Sequence, residues 1–282
     1  MTYTTLISTS DLANNLDNED FIIFDVRFSL DDELLGNIAY KESHIPGAIY
    51  ADLATDLSGE IISGVTGRRP FPTVESFTKT LSNWGITQET QVICYDAESG
   101  LMAASRLWLM FRWLGHDKVA VLDGGLKAWQ SEKLPMDQTI KNITPTIFIP
   151  NVREELFVDA NFVDKVRNNS DYCVFDSRGA EGYHGGGKYY DPVRGHIAGA
   201  GLADRAEITG ADGLFRSKEE LKKHFEKLVG DVPSSNSIFY CGSGVTAAQN
   251  VLAMKHAGLG DSKMYIGSWS EWITDPQREI AL

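Results

Sequence analysis

The chain has few cysteines, little positive charge and no long hydrophobic run, and each shortage narrows what it can be. Cys94, Cys173 and Cys241 are its only thiols, separated by 79 and 68 residues. An odd number without close pairing argues against both a disulfide framework and a cysteine-ligated zinc site. One reactive thiol and two buried strand cysteines are expected, because free cysteine packs mostly as a small apolar side chain. The formal net charge is −13, a field that repels nucleic acid and anionic membrane alike. The acidic excess reads as a solvated surface, so any anion site has to be local. Met1 to Asp20 is polar, without the basic start and apolar stretch of an export signal, and no later segment approaches a bilayer span. A cytoplasmic protein with no nucleic-acid or membrane partner is expected.

The 282 residues suffice for two domains with separate cores, and the sequence repeats four landmarks in the same order in its two halves. Phe21 to Phe24 runs into Asp25-Val26-Arg27, as Cys173-Val174-Phe175 runs into Asp176-Ser177-Arg178; both read as short buried strands. His44-Ile45-Pro46-Gly47-Ala48 follows the first aspartate by nineteen residues, and His196-Ile197-Ala198-Gly199-Ala200 follows the second by twenty. The apolar runs Val92 to Tyr95 and Ile238 to Tyr240 each lead into a small-residue loop and a helical pattern. Gly124 to Trp129 and Gly267 to Trp272 close the two sets. Such alternation predicts an α/β chain of two tandem domains, each an open, mostly parallel sheet with helices on both faces. Pro135, Pro145 and Pro150 punctuate a stretch without helical period, which places a linker over 138–155 between domains at 1–137 and 156–282. Leu101 to Leu114, with Trp108 and Trp113, reads as a core helix.

Matching Tyr95-Asp96 with Tyr240-Cys241 puts an aspartate where the second half has a thiol. Cys241 ends its strand and is followed by Gly242-Ser243-Gly244-Val245-Thr246-Ala247 and a helical pattern. Two glycines let the backbone curl so that amide protons converge on the sulfur, and the helix adds the positive end of its dipole. Both effects lower a thiol's pKa and hold an anionic sulfur. Asp96 has no thiol chemistry, so the first half is expected to be non-catalytic. A cysteine phosphatase would need an arginine at the sixth position after its cysteine to grip phosphate; here that residue is Ala247. Gly185-Gly186-Gly187-Lys188 lacks phosphate-loop spacing and reads as a mobile loop.

At these residues the sequence resembles the tandem-domain rhodanese superfamily over nearly its whole length. Tyr40 with His44 to Ala48 resembles the family's N-terminal signature, and Tyr265 to Trp272 its C-terminal one, with Ile266 a departure. The loop Cys241 to Ala247 is similar to that of the branch that uses 3-mercaptopyruvate, since thiosulfate-using relatives usually carry basic residues directly after the cysteine. The resemblance implies a sulfurtransferase in which Cys241 takes sulfur from a small-molecule donor as a persulfide, held by Gly242, Gly244, Val245, Thr246 and Ala247. A thiol acceptor such as thioredoxin, or cyanide, then receives it, with no metal or organic cofactor. It further implies a proton relay of Ser243, His44 and an acid, Asp32 or one of its neighbours Asp31 and Glu33. For His44 a structural role, fixing the turn before Pro46-Gly47, stands beside the relay. A carboxylate donor needs cations, and Arg178, Lys188 and Arg194 are the candidates. Arg178 has a counterpart in Arg27, which also fits a clamp within each domain. Gly182 stands where the family's first substrate arginine is expected. Thiosulfate as donor and a non-catalytic binding module are the alternatives.

Overall fold

A computed structural model describes residues 2–188 and 190–282. In the first half the elements are β1 (Leu6–Ile7), α1 (Thr9–Ala13), β2 (Phe21–Asp25), α2 (Leu35–Glu42), β3 (Ile49–Tyr50), α3 (Val74–Asn83), β4 (Gln91–Tyr95), α4 (Ala104–Trp113), β5 (Val119–Leu122) and α5 (Gly125–Ser131). The second half contributes β6 (Phe157–Val158), α6 (Ala160–Val166), β7 (Cys173–Asp176), α7 (Ala180–Tyr183), β8 (His196–Ile197), β9 (Gly201–Leu202), α8 (Lys218–Val229), β10 (Ser237–Tyr240), α9 (Ala247–His256), β11 (Lys263–Tyr265), α10 (Ser268–Trp272) and β12 (Ile280–Ala281).

Two five-stranded sheets result, in the orders β1-β5-β4-β2-β3 and β6-β11-β10-β7-β9, with every neighbouring pair parallel. The orders superpose strand for strand, so β4 and β10 are the central strands of equivalent sheets. Both are buried along their whole length, which is why they read as unbroken apolar runs instead of alternating ones. The expected core helix is α4, buried from Ala104 to Arg112. Helix starts follow local chemistry: Thr73 and Asp159 accept from the amides of Ser76 and Phe162, and Ser217 and Glu220 form a reciprocal capping box on α8.

The chain forms two compact units, and they are not simple consecutive halves. Glu60–Pro70 belongs to the second unit, with Glu154–Gly210 and Phe215–Leu282, while Ala211–Leu214 belongs to the first. Residues 138–153 hold no helix or strand. Among the described residues no helix is long and apolar enough to cross a membrane.

Candidate active site

Cys241 stands at the carboxyl end of the central strand β10, where a parallel sheet delivers side chains to ligands. It is 2% exposed, which by itself would silence a thiol. Burial, the largest influence, pushes it up, but the Thr246 hydroxyl and the amides of Ala247, Ser243 and Val245 all point at the sulfur and leave its pKa below the ordinary value. Gly244 makes the curl possible with φ +74°, a conformation costly for residues with a side chain. Thr246 occupies the N-cap position of α9 yet makes no side-chain cap bond, since its hydroxyl serves the sulfur. The loop is pinned from behind: Trp269 N–H donates to the Cys241 carbonyl and Ser270 N–H to that of Gly242, both at 2.9 Å. The Ser268 hydroxyl accepts from the Cys241 amide at 3.1 Å.

The first sheet has the same cradle around Asp96. One carboxylate oxygen accepts from Glu98 and Gly100, both at 3.1 Å, and the other from Met102 at 3.0 Å and Ala104 at 3.3 Å. The offsets of two, four and six residues are those that serve Cys241. A tethered carboxylate thus fills the space where the second unit holds an ionisable sulfur. The two other cysteines lack such donors. Cys94 is buried within β4 and burial, then Asp96, raise its thiol. Cys173 departs from the sequence expectation: it opens β7 at its amino end and is only partly buried.

Arg178 lines a cavity beside Gly242 and also has the second of its two expected roles, a clamp. Its Nε and Nη2 bind the buried Asp176 carboxylate at 2.7–3.0 Å and Nη2 also reaches the Gly195 carbonyl at 2.6 Å. Arg27 does the same with Asp25 and the Ser43 carbonyl. This shared geometry makes both arginines clamps inside their own sheets. Lys188 and Arg194 are exposed and, with Arg178, line a cavity of about 90 Å³ that also contains Gly182, Asp191, Gly242 and Trp269. Gly185 and Gly186 form part of its wall.

The relay drawn from the resemblance does not match the histidine's surroundings. His44 is fully buried in the first unit, with Nδ1 at 2.7 Å from the Tyr40 carbonyl and Nε2 at 3.2 Å from that of Thr139. Its ring stacks on Tyr40 at 4.2 Å, and His196 repeats the arrangement on Tyr183, with Nδ1 at 2.9 Å from the Tyr183 carbonyl. A geometry present at both signatures, one of them in the unit whose central-strand loop holds Asp96 where the other holds Cys241, is that of a turn brace. Asp32 is exposed and accepts from the Leu34 amide at 3.0 Å. The carboxylate that responds to His44 is Asp137, held low first by the Thr139 hydroxyl and least by the histidine. Ser243 contributes its amide to the sulfur. The sequence reading missed Arg68, which lines the cavity from a distant segment; no periodicity or motif spacing marks it.

With the geometry in place, relatives identify the class. The rhodanese-like domain family matches residues 8–132 and 159–275. The chain is 39% identical over 277 residues to a "probable 3-mercaptopyruvate sulfurtransferase" of Pseudomonas aeruginosa, covering 98% of this chain and 97% of the relative. Among solved structures it is similar to 3-mercaptopyruvate sulfurtransferase from Leishmania major, at 31% identity and TM-score 0.81 over 95% of this chain and 74% of that one. A second is the 3-mercaptopyruvate sulfotransferase of Escherichia coli, at 29% identity and TM-score 0.80 over 95% of this chain and all of that one. The chain belongs to the rhodanese-like family. More particularly, it is a sulfurtransferase of two tandem rhodanese-like domains, and that activity requires a sulfur donor and an acceptor.

Proposed function

We propose that the chain transfers sulfur from 3-mercaptopyruvate through a persulfide on Cys241. The observation that carries this reading is the Cys241 sulfur ringed by the Thr246 hydroxyl and three backbone amides, an arrangement that holds a sulfur anion before and after it gains an atom. The thiolate attacks the mercapto sulfur, an S–S bond forms and the C–S bond breaks. Its electron pair passes to carbon, and the resulting enolate takes up a proton to leave as pyruvate. The sulfur is oxidised to the sulfane level and the carbon correspondingly reduced, so no external redox partner is needed. A thiol acceptor such as thioredoxin, or cyanide, then attacks the outer sulfur and restores the thiolate. The neutral Gly242 and Ser243 beside the nucleophile favour an oxo acid over thiosulfate. Lys188 and Arg194, on the cavity rim, draw the anionic donor in.

The test is to mix the protein with 3-mercaptopyruvate or thiosulfate and compare kcat/KM with cyanide or a dithiol as acceptor. Intact mass should show gain of one sulfur atom, mapped to Cys241, with 3-mercaptopyruvate the better donor. A preference for thiosulfate overturns the donor assignment, and no sulfur gain from either donor overturns the whole reading.

A further inference from the structure

We propose that β12 and its flanking residues, 279–282, form a strap that holds the neck of the loop 185–195 and so sets the reach of Lys188 and Arg194 over the Cys241 cavity. The proposal rests on the reading above that the donor is a small anion drawn in by those cations. Within the second unit, β12 pairs antiparallel with β8, Ala281 opposite His196 and Ile280 opposite Ile197. The Glu279 carbonyl accepts from the Ala198 amide at 3.2 Å and from Trp272 Nε1 at 3.1 Å. Arg167 ties both partners of this small sheet, with Nη1 on the Ala198 carbonyl at 3.1 Å and Nη2 on the Glu279 carboxylate at 2.8 Å. The first unit has a counterpart: the His44 amide donates to the Asp137 carbonyl at 2.9 Å, and the Asp137 amide to that of His44 at 2.8 Å.

The two units differ one residue before each histidine. Ser43 is extended, with φ −170°, and keeps a side chain. Gly195 has φ +107°, a conformation that strains other residues, and a methyl group on it would collide with the Ala281 carbonyl oxygen. In the unit that holds the thiol, the strap thus fills the space that a side chain would take. The loop closes on itself at the same place: a side chain on Gly185 would begin 3.3 Å from the Gly195 nitrogen. Leu282 Cδ2 rests on this neck, 3.4 Å from where side chains on Gly185 and on Gly195 would begin. Gly185, Gly186, Lys188, Arg194 and Gly195 all line the cavity. Three successive glycines, Gly185-Gly186-Gly187, give the start of the loop little stiffness of its own, so its course depends on what the neck rests against. Further along, Trp269 Nε1 holds the Val193 carbonyl at 3.1 Å and Arg68 pairs with Asp191. The strap acts through the loop and touches no reacting atom.

Deleting residues 280–282 should raise KM for 3-mercaptopyruvate about 3- to 10-fold with kcat changed less than about twofold, because the Cys241 loop keeps its own anchors at Trp269 and Ser270. Hydrogen exchange at the amides of 185–188 and 190–195 should quicken while β10 and β11 keep their rates. Leu282 is 81% exposed, so Leu282→Ser removes nothing from the core and the variant folds. It should show the same two changes in smaller measure, and Leu282→Met should regain most of the difference. A readout independent of turnover is the pyruvate concentration that half-protects Cys241 from alkylation, which should rise along with KM. Loop exchange at the wild-type rate in the deletion variant, or quickened exchange with KM and half-protection both unmoved, would overturn the proposal. A wild type that gains no sulfur from 3-mercaptopyruvate, with half-protection still shifted in the variants, would instead remove the donor reading and leave the strap standing.

Discussion

A thiol taken out of water ordinarily keeps its proton, and Cys94 and Cys241 show how much the surroundings decide. Both are buried, yet burial raises Cys94 unopposed by any donor, while at Cys241 one hydroxyl and three amides reverse the sign. Thr246 is the side chain in that set, so Thr246→Val should raise the thiol pKa. A hydrogen bond to a charged group contributes about 1.5–3 kcal/mol, or about one to two pH units. The check is the pH dependence of iodoacetamide alkylation: its midpoint should move up in Thr246→Val and stay in place in Thr246→Ser. An unmoved midpoint in the valine variant would assign the lowered pKa to the amides alone. His44 predicts the opposite pattern. Bracing the Tyr40 and Thr139 carbonyls, it should cost about 1–3 kcal/mol of stability on mutation to alanine, seen in denaturant midpoints, with the alkylation profile unaltered. A relay role would instead appear as lost kcat at undiminished stability.

At the scale of elements, the site exists because a buried parallel strand ends in a loop whose shape is fixed from two directions. The amino end of α10 holds the loop carbonyls through Trp269 and Ser270, and the segment Glu60–Pro70 leans on the same turn at Gly67. Gly67→Ala should push that segment off and carry Arg68 away from Gly242. The expected outcome is about 1–3 kcal/mol of lost stability from overpacking, measured by thermal unfolding, with kcat/KM lowered as the loop's anchor at Ser270 shifts. The central strands were legible in the sequence, because strands covered on both faces become apolar runs that need no periodicity to be noticed. The loop was legible too, since Cys241, Gly244 and the start of α9 are neighbours in the chain. Arg68 was not: its place depends on a packing contact between residues some two hundred positions apart, which leaves no local pattern. The function of His44 was legible only as a choice between two roles, and its duplicate at His196 becomes decisive once the carbonyls around both rings are seen.

On the scale of the whole molecule, duplication has set the same cradle of amides around two different acids, and their titrations should leave opposite marks on stability. Burial pushes Asp96 up to about 7 against the amides of Met102, Ala104, Glu98 and Gly100, from an ordinary value of 3.8. Between those values the folded chain holds a proton that the unfolded chain has released. Stability from this group is therefore complete below about pH 4 and lost as pH rises through about 7, by at most about 4 kcal/mol. Cys241 has the reverse sign, since its folded pKa lies below the ordinary 9.0: its contribution is present above about pH 9 and lost as pH falls through the folded value. Denaturant midpoints followed from about pH 4 to 9 should fall on the acid side and partly recover on the alkaline side. Asp96→Asn turns one acceptor into a donor facing amides, so the variant should be less stable at pH 4 but without the fall between pH 4 and 7. Cys241→Ser should keep the fall and lose the recovery. If Asp96→Asn declined as steeply as the wild type over the acid range, the slope would belong to other carboxyl groups, and the first cradle would be holding its aspartate charged throughout.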